Sequence, residues 1–316
     1  MKKNETMTEK ESRQQLIAAE LDVKFIDLKR DFAFKWMFGT EGHEELLLML
    51  VDSLLPEKHI RSVRLGTQEQ EPDREDAQGG IYDIHCETDD GSSLTIEMQV
   101  YPQKDFNDRM VFYSSFPIRN RVGQGITGEL PYSPMRYKLP HIYVIGILDF
   151  ELYEIGESTK TIRHFSIRED DGNNDQFTDS IHYVTVELPK FRKDPSALKT
   201  LQDFMLFAIK NSGTMKEIPK EFYGKGFDKF FEMCSFASMS EDMQMKYVRR
   251  MMAEWDREGQ LATAIMDGEE RGEARGRAEE RAAIAQKMKA MGMEPDVISR
   301  LSGLTLDQIA QLTNDK

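Results

Sequence analysis

Two stretches that alternate apolar and polar residues, IYDIHCET at 81–88 and SSLTIEMQVY at 92–101, flank the tripeptide Asp89-Asp90-Gly91. No other feature constrains the fold as much. Period-two alternation on both sides of a turn signal predicts a β-hairpin. A three-residue loop with glycine at its left-handed position is a common way to close one, and such a loop pairs Thr88 with Ser92. Counting outward from that pair sets Asp83 directly opposite Glu97, where Cβ atoms stand roughly 4.5–5.5 Å apart. Gln99, two residues past Glu97, shares that face, as does His85. Leu94, Ile96, Met98 and Val100 take the other face and suit a core. Local geometry alone therefore gathers two carboxylates and an amide. The competing reading is a solvent-facing hairpin with ordinary polar residues.

The segments around the hairpin read as an α/β chain. Asp31 can cap a short helix over 32–38 that stops at Gly39. Leu46, Leu47, Leu50, Val51 and Leu54 recur at helical spacing, so 44–55 is predicted as an amphipathic helix ended by Pro56. A short strand is expected at 60–65. Residues 105–122 read as a helix that Pro117 can kink. The run HIYVIGILDF at 141–150 has the continuous apolar character of a buried strand. Shorter strand-like pieces follow at 160–190, and the chain turns helical from Pro195. Residues 240–291 are charged and helix-prone, interrupted at Gly259, Gly268, Gly272 and Gly276. In the tail, Gly292 suits a helix end, Pro295 a first helical position, Gly303 a second end and Thr305-Leu306-Asp307-Gln308 a capping box. Three short helices at 278–314 form a helix-turn-helix-like unit. The expected organisation is a polar arm at 1–22, a main domain at 23–237, a charged helical spacer at 238–290 and a small helical tail at 291–316.

Composition narrows the function classes. No apolar run approaches the roughly 18 residues of a membrane span, and the N-terminal residues lack the apolar core of a secretory leader. The only two cysteines, Cys86 and Cys234, are far apart and form no CxxC, which speaks against a disulfide framework or a structural zinc site and fits a reducing cytoplasm. The net charge of −14 is unusual for a nucleic-acid binder, but it is unevenly spread. Residues 65–100 hold ten Asp/Glu and one Lys/Arg, whereas 101–140 hold six Lys/Arg and three Asp/Glu. An acidic patch that needs cations beside a basic segment suits a metal-dependent nuclease. The GxGxxG match at 123–128 precedes prolines, not a helix, and HxE at 43–45 has no PCxxC partner, so neither a dinucleotide site nor a zinc deaminase is supported.

The order helix, strand, hairpin with Asp and then Glu-x-Gln, helix, strand resembles the αβββαβ core of the PD-(D/E)XK superfamily. RDFAFKWMFG, YDIHCETDDGSSLTIEMQV and FNDRMVFYSS resemble, in that order, segments of the recombination-promoting nucleases and PD-(D/E)XK nuclease family transposases of bacteria. The resemblance covers roughly residues 25–150. It implies a restriction-endonuclease-like α/β fold, a mixed sheet flanked by helices, with a helical C-terminal region. It also implies a metal-dependent deoxyribonuclease that cuts phosphodiester bonds in DNA, with a link to recombination or mobile elements. The family's metal-binding carboxylates carry over to Asp83 and Glu97, and its glutamine variant of the usual lysine to Gln99. That lysine's absence leaves Lys35 and Arg109 to supply positive charge. Asp31, in the family's Asp-x-x-Phe-Lys segment, either completes the metal site or only caps its helix.

These residues suit a hard divalent cation, Mg2+ first, with Mn2+ or Ca2+ as alternatives. Arg109 and Tyr113, four apart on one helix face, can meet DNA or serve the core. Arg119, Arg121, Arg136 and Lys138 can track phosphates. The last helix, LDQIAQL, carries no Lys or Arg, so the tail reads as a protein-contact or homo-oligomer module more than a base reader. A catalytically silent protein on the same fold, or a DNA-binding regulator acting through the tail, are the alternatives.

Overall fold

The computed structural model of the chain describes residues 23–66, 69–70, 80–127, 138–153 and 156–312. They belong to two units, divided after Arg249.

In the first unit, helix α1 spans Asp31–Phe38 and buries Ala33, Phe34, Met37 and Phe38. The expected cap by Asp31 is not made: Arg30 holds the N-cap position, and no side chain caps the helix. Asp31 lies one residue further on, in the first turn, where its carboxylate meets Lys35 at 2.8 Å, the i,i+4 partner on the helix surface. Helix α2 (Glu44–Leu54) buries Leu46, Leu47, Leu50, Val51 and Leu54 along its predicted apolar stripe and ends before Pro56. Strand β1 (Val63–Leu65) follows, then a two-residue pairing of β2 (Glu69–Gln70) with β3 (Gly80–Ile81).

The hairpin is β4 (Ile84–Thr88) and β5 (Ser93–Gln99). Its pairs, Glu87 with Ser93 through Ile84 with Ile96, follow the register derived from the turn. Gly91 has φ of +80°, the left-handed conformation the loop requires. Helix α3 (Phe106–Thr127) runs on through Pro117. It leads to β6 (Ile142–Leu148), β7 (Ile162–Ser166) and β8 (Ile181–Glu187). The six long-range strands form one mixed sheet in the order β1-β4-β5-β6-β8-β7, with β5, β6 and β8 parallel and the rest antiparallel. The strands supply the expected αβββαβ core as α2-β1-β4-β5-α3-β6.

Burial explains why β5 and β6 read differently from an edge hairpin. β6 is buried at every position, as expected of an interior parallel strand. Ile84, Cys86, Leu94, Ile96, Ile145, Ile147, Val184 and Val186 build a buried apolar surface on one sheet face; α1 packs at β5, α2 at β1, and α4 (Leu201–Asn211) behind α2. On the opposite face, Phe106, Met110, Tyr113 and Phe116 of α3 join Tyr82, Val144 and Leu148 in a second cluster. Gly146 permits that approach, because a Cβ there would stand 2.7 Å from the Phe106 ring. Gly146 is the register partner of Glu97, so the same close approach sets α3 over the C-terminal end of β5. Helix α5 (Asp228–Cys234) adds Phe230 and Phe231 to an aromatic group with Phe204, Phe222 and Phe227.

In the second unit, the expected interruptions at Gly259, Gly268, Gly272 and Gly276 do not occur: all four lie inside helix α6 (Glu241–Ala290). A helical glycine costs about 1 kcal/mol relative to alanine. Ion pairs one turn apart (Asp267–Arg271, Glu273–Arg277 and Arg275–Glu279) offset part of that cost. The first of the three short tail helices is accordingly the end of α6. The other two, α7 (Pro295–Ser302) and α8 (Leu306–Gln311), begin and end where the sequence signals lie. Pro295 opens α7, Gly303 closes it at φ +72°, and Thr305 with Gln308 forms a complete capping box. Ala285, Ile298 and Ile309 bury against one another, and Lys289 Nζ donates to the carbonyls of Ile309 and Leu312 at the end of α8 (3.1 and 2.8 Å).

Candidate active site

Asp83 sits one residue before β4, at the point where the ladder with β5 gives out. Two reciprocal hydrogen bonds replace the missing ladder. The Asp83 N–H donates to Glu97 Oε1 (3.2 Å), and the Met98 N–H donates to Asp83 Oδ2 (2.8 Å). Each carboxylate thus has one oxygen tied to backbone, which fixes both side chains at the C-terminal end of β5. Both are buried, Asp83 at 8% and Glu97 at 1% exposure.

The second oxygen of each acid meets a cation. Lys35 Nζ lies 3.1 Å from Asp83 Oδ1 and 2.8 Å from Asp31, bridging the two. Arg109 Nη2 donates to Glu97 Oε2 at 2.6 Å. The Arg109 guanidinium also donates to the Tyr113 hydroxyl (Nε, 2.8 Å), to Gln103 Oε1 (2.9 Å) and at longer range to Gln99 Oε1 (3.4 Å). Gln99 Nε2 donates to the Tyr101 carbonyl (3.0 Å). The i,i+4 spacing on α3 thus brings Arg109 and Tyr113 together, and both are engaged inside the protein.

Electrostatics follow from burial. Loss of water raises the Glu97 pKa, the nearby Asp83 charge raises it further, and Arg109 opposes both; the result is pushed up to about 8. Burial also raises Asp83, with Lys35 and the Met98 N–H pulling the other way. The two acids interact strongly, so they titrate as a pair.

Asp31 reaches the pair only through Lys35 and is more than half exposed. Arg119 is exposed, with its guanidinium 5.3 Å from the Phe116 ring centre. Lys138 lines a cleft with His85, Glu87, Asp90 and Asn120 at the turn end of the hairpin, and two acids there make its charge mixed. The side chain of Arg121 and all of Arg136 lie outside the described residues. His85, on the Asp83 face, accompanies Thr95 (3.4 Å) and Gly66 and does not reach the acid pair's partners.

One group escaped the sequence reading. His141, Asp179 and His182 bring their ligand atoms within 4.8 Å of one another. Only the parallel register of β6 and β8, which pairs Tyr143 with His182, makes that group visible. The repeated histidine-aromatic pattern in HIY at 141–143 and IHY at 181–183 is the sole local hint.

A mixed sheet with flanking helices and a helical C-terminal region defines the fold as PD-(D/E)XK nuclease-like. The chain belongs to the PD-(D/E)XK nuclease family transposases, whose family model matches residues 28–264. That assignment makes its function nuclease- or transposase-related, within a superfamily of generally hydrolytic nucleases that usually use divalent metals. Comparison with curated proteins and with solved structures returns no match. No helix among the described residues is long and apolar enough to cross a membrane.

Proposed function

We propose that the chain is a metal-dependent DNA endonuclease acting in the cytoplasm, with Asp83 and Glu97 as metal ligands and Mg2+ as the natural ion. The observation that carries this reading is the pairing itself. Two buried carboxylates face each other, each with one oxygen fixed by backbone and the other held by a long, movable cationic side chain. The donors are all oxygen, as Mg2+ requires. A bound Mg2+ would supply Lewis acidity toward phosphate and lower the pKa of a coordinated water.

The chain's own residues do the rest. Lys35 and Arg109, released from the acids, can swing toward a phosphodiester without leaving the site. Lys35 then stands in for the lysine that Gln99 replaces. Gln99, anchored through its Nε2 at Tyr101, offers its oxygen to orient a water. Asp31 retains Lys35 within reach. Tyr113 keeps Arg109 near the site through its Nε, and Arg119 extends the contact surface along α3. Recombination, mobile-element activity and self-association through the C-terminal helices belong to the same reading.

A second reading has a specific observation in its favour. Lys35 and Arg109 already neutralise the acids, as they would in a catalytically silent interaction protein on this fold. Incubation of EDTA-stripped protein with supercoiled plasmid separates the two. Open-circular product should form with Mg2+ or Mn2+ and cease on chelation. No nicking with Mg2+, Mn2+ or Ca2+ would favour the silent protein.

A further inference from the structure

We propose that His141, Asp179 and His182 form a second metal site, selective for an imidazole-preferring divalent ion of the zinc class, which clamps the start of β6 to the start of β8. The two ends are already joined by one backbone bond, from the Ile142 N–H to the Ser180 carbonyl (2.7 Å). Beside it, His141 Nδ1 and His182 Nε2 converge on a single acceptor, the Asp179 carbonyl, at 2.6 and 2.8 Å. The Asp179 carboxylate lies 3.9 Å from the first nitrogen and 3.6 Å from the second. Two nitrogens and a carboxylate therefore surround one small volume.

The orientation of the rings is built in. Tyr143, 3% exposed, stacks on the His182 imidazole with centroids 4.6 Å apart and planes 10° from parallel. The His141 and His182 rings lie 6.0 Å apart. Zinc accepts two imidazoles and a carboxylate at roughly 2.0–2.2 Å with water in the fourth place. That arrangement puts neighbouring ligand atoms about 3.4 Å apart. All three ligand atoms are within 4.8 Å now, so closure needs a shift on the order of an ångström. The Asp179 carboxylate, 69% exposed and accepting from Gln176 Nε2 at 3.2 Å, supplies it by giving up that amide. Each ring must turn a lone pair on the nitrogen that now donates to the Asp179 carbonyl, so binding gives up those two hydrogen bonds and moves each proton to the other ring nitrogen.

This group is distinct from the carboxylate pair. His141 precedes by five residues the Gly146 that pairs with Glu97, a separation of roughly 16 Å along a strand. Odd-numbered β6 residues face away from α3, so the two groups occupy opposite faces of the sheet. Their chemistry also differs, since oxygen donors suit Mg2+ and imidazole suits Zn2+. Zinc binding at the histidine group requires no nuclease activity.

Untagged, EDTA-treated full-length protein, titrated calorimetrically with Zn2+, tests it. One equivalent should bind with micromolar or tighter affinity, and unfolding should shift upward in temperature with Zn2+ but not with Mg2+. Co2+ substitution should give visible absorption of a nitrogen- and oxygen-ligated ion. His141→Gln, at a half-exposed position, should weaken Zn2+ binding at least tenfold with an unchanged circular dichroism spectrum, and Asp179→Asn should weaken it less. Asp83→Asn/Glu97→Gln should leave it intact. Absence of Zn2+ binding, binding unaffected by His141→Gln, or loss of binding in Asp83→Asn/Glu97→Gln would each overturn the assignment.

Discussion

Asp83→Asn is expected to slow metal-stimulated plasmid nicking by orders of magnitude while the protein stays folded. Asparagine keeps an oxygen to accept the Met98 N–H, the bond that anchors Asp83 at 2.8 Å, so the hairpin end should keep its shape. What disappears is the negative oxygen opposite Glu97. Metal stabilisation of a phosphoryl transition state is worth several kcal/mol. At 1.36 kcal/mol per decade, losing that ligand should slow nicking by roughly 10²–10⁴-fold. Removing an ionised group from a site that penalises its charge should leave thermal stability unchanged or slightly raised. Lys35 retains Asp31 as a partner at 2.8 Å, so no cation is stranded. Initial nicking rates at matched near-ultraviolet circular dichroism provide the measurement. Wild-type nicking by the variant would remove Asp83 from the chemistry.

The second large effect is with pH, and it has opposite signs for stability and for metal affinity. Asp83 and Glu97 both have folded-state pKa values raised above those of an ordinary carboxyl, Glu97 to about 8. Between the ordinary carboxyl range near 4 and about 8, the native state therefore binds more protons than the unfolded state. By linkage, metal-free stability falls as pH rises through that window. The contribution is greatest below the unfolded value and is gone above the folded one. Metal ligands must be deprotonated, so Mg2+ affinity should climb over the upper part of the same window. Glu97, pushed up to about 8, loses its proton between pH 7 and pH 9, so Mg2+ should bind more tightly at the higher pH. Calorimetric Mg2+ titrations at the two pH values check the gain, and Mg2+ avoids interference from the histidine group. Glu97→Gln should flatten the stability profile between pH 5 and 9 and abolish the Mg2+ response. A stability profile that rises over that range would contradict a burial cost that outweighs the Lys35 and Arg109 contacts.

The legible parts of this chain were those set by short-range rules. The turn at Asp89-Asp90-Gly91 determines a register, and the register determines that Asp83 opposes Glu97; no knowledge of the rest of the fold is needed. The helix ends at Gly292, Gly303 and Thr305 are equally local. What needed the tertiary structure was everything that depends on a second element. Lys35 lies between Asp31 and Asp83 because α1 packs at β5, and Arg109 reaches Glu97 because Gly146 lets α3 descend on the sheet. Neither distance is written in sequence spacing. Asp31 looked like a cap because caps precede apolar runs, yet the helix begins one residue earlier than that pattern requires. The glycines of α6 look like breaks, but about 1 kcal/mol each is too little to interrupt a helix supported by ion pairs along its exposed face. The histidine group is the extreme case, since 40 intervening residues and a parallel crossover separate His141 from His182.

The central claim is that Asp83 and Glu97 exchange their internal cations for one divalent ion. Anomalous diffraction from crystals soaked in Mn2+ tests this most directly. A single strong peak is expected at the C-terminal end of β5, about 2.2 Å from an oxygen of each carboxylate, with Lys35 and Arg109 withdrawn from their present contacts. A clean map there, with Lys35 still on Asp83 and Arg109 still on Glu97 at saturating Mn2+, would contradict it.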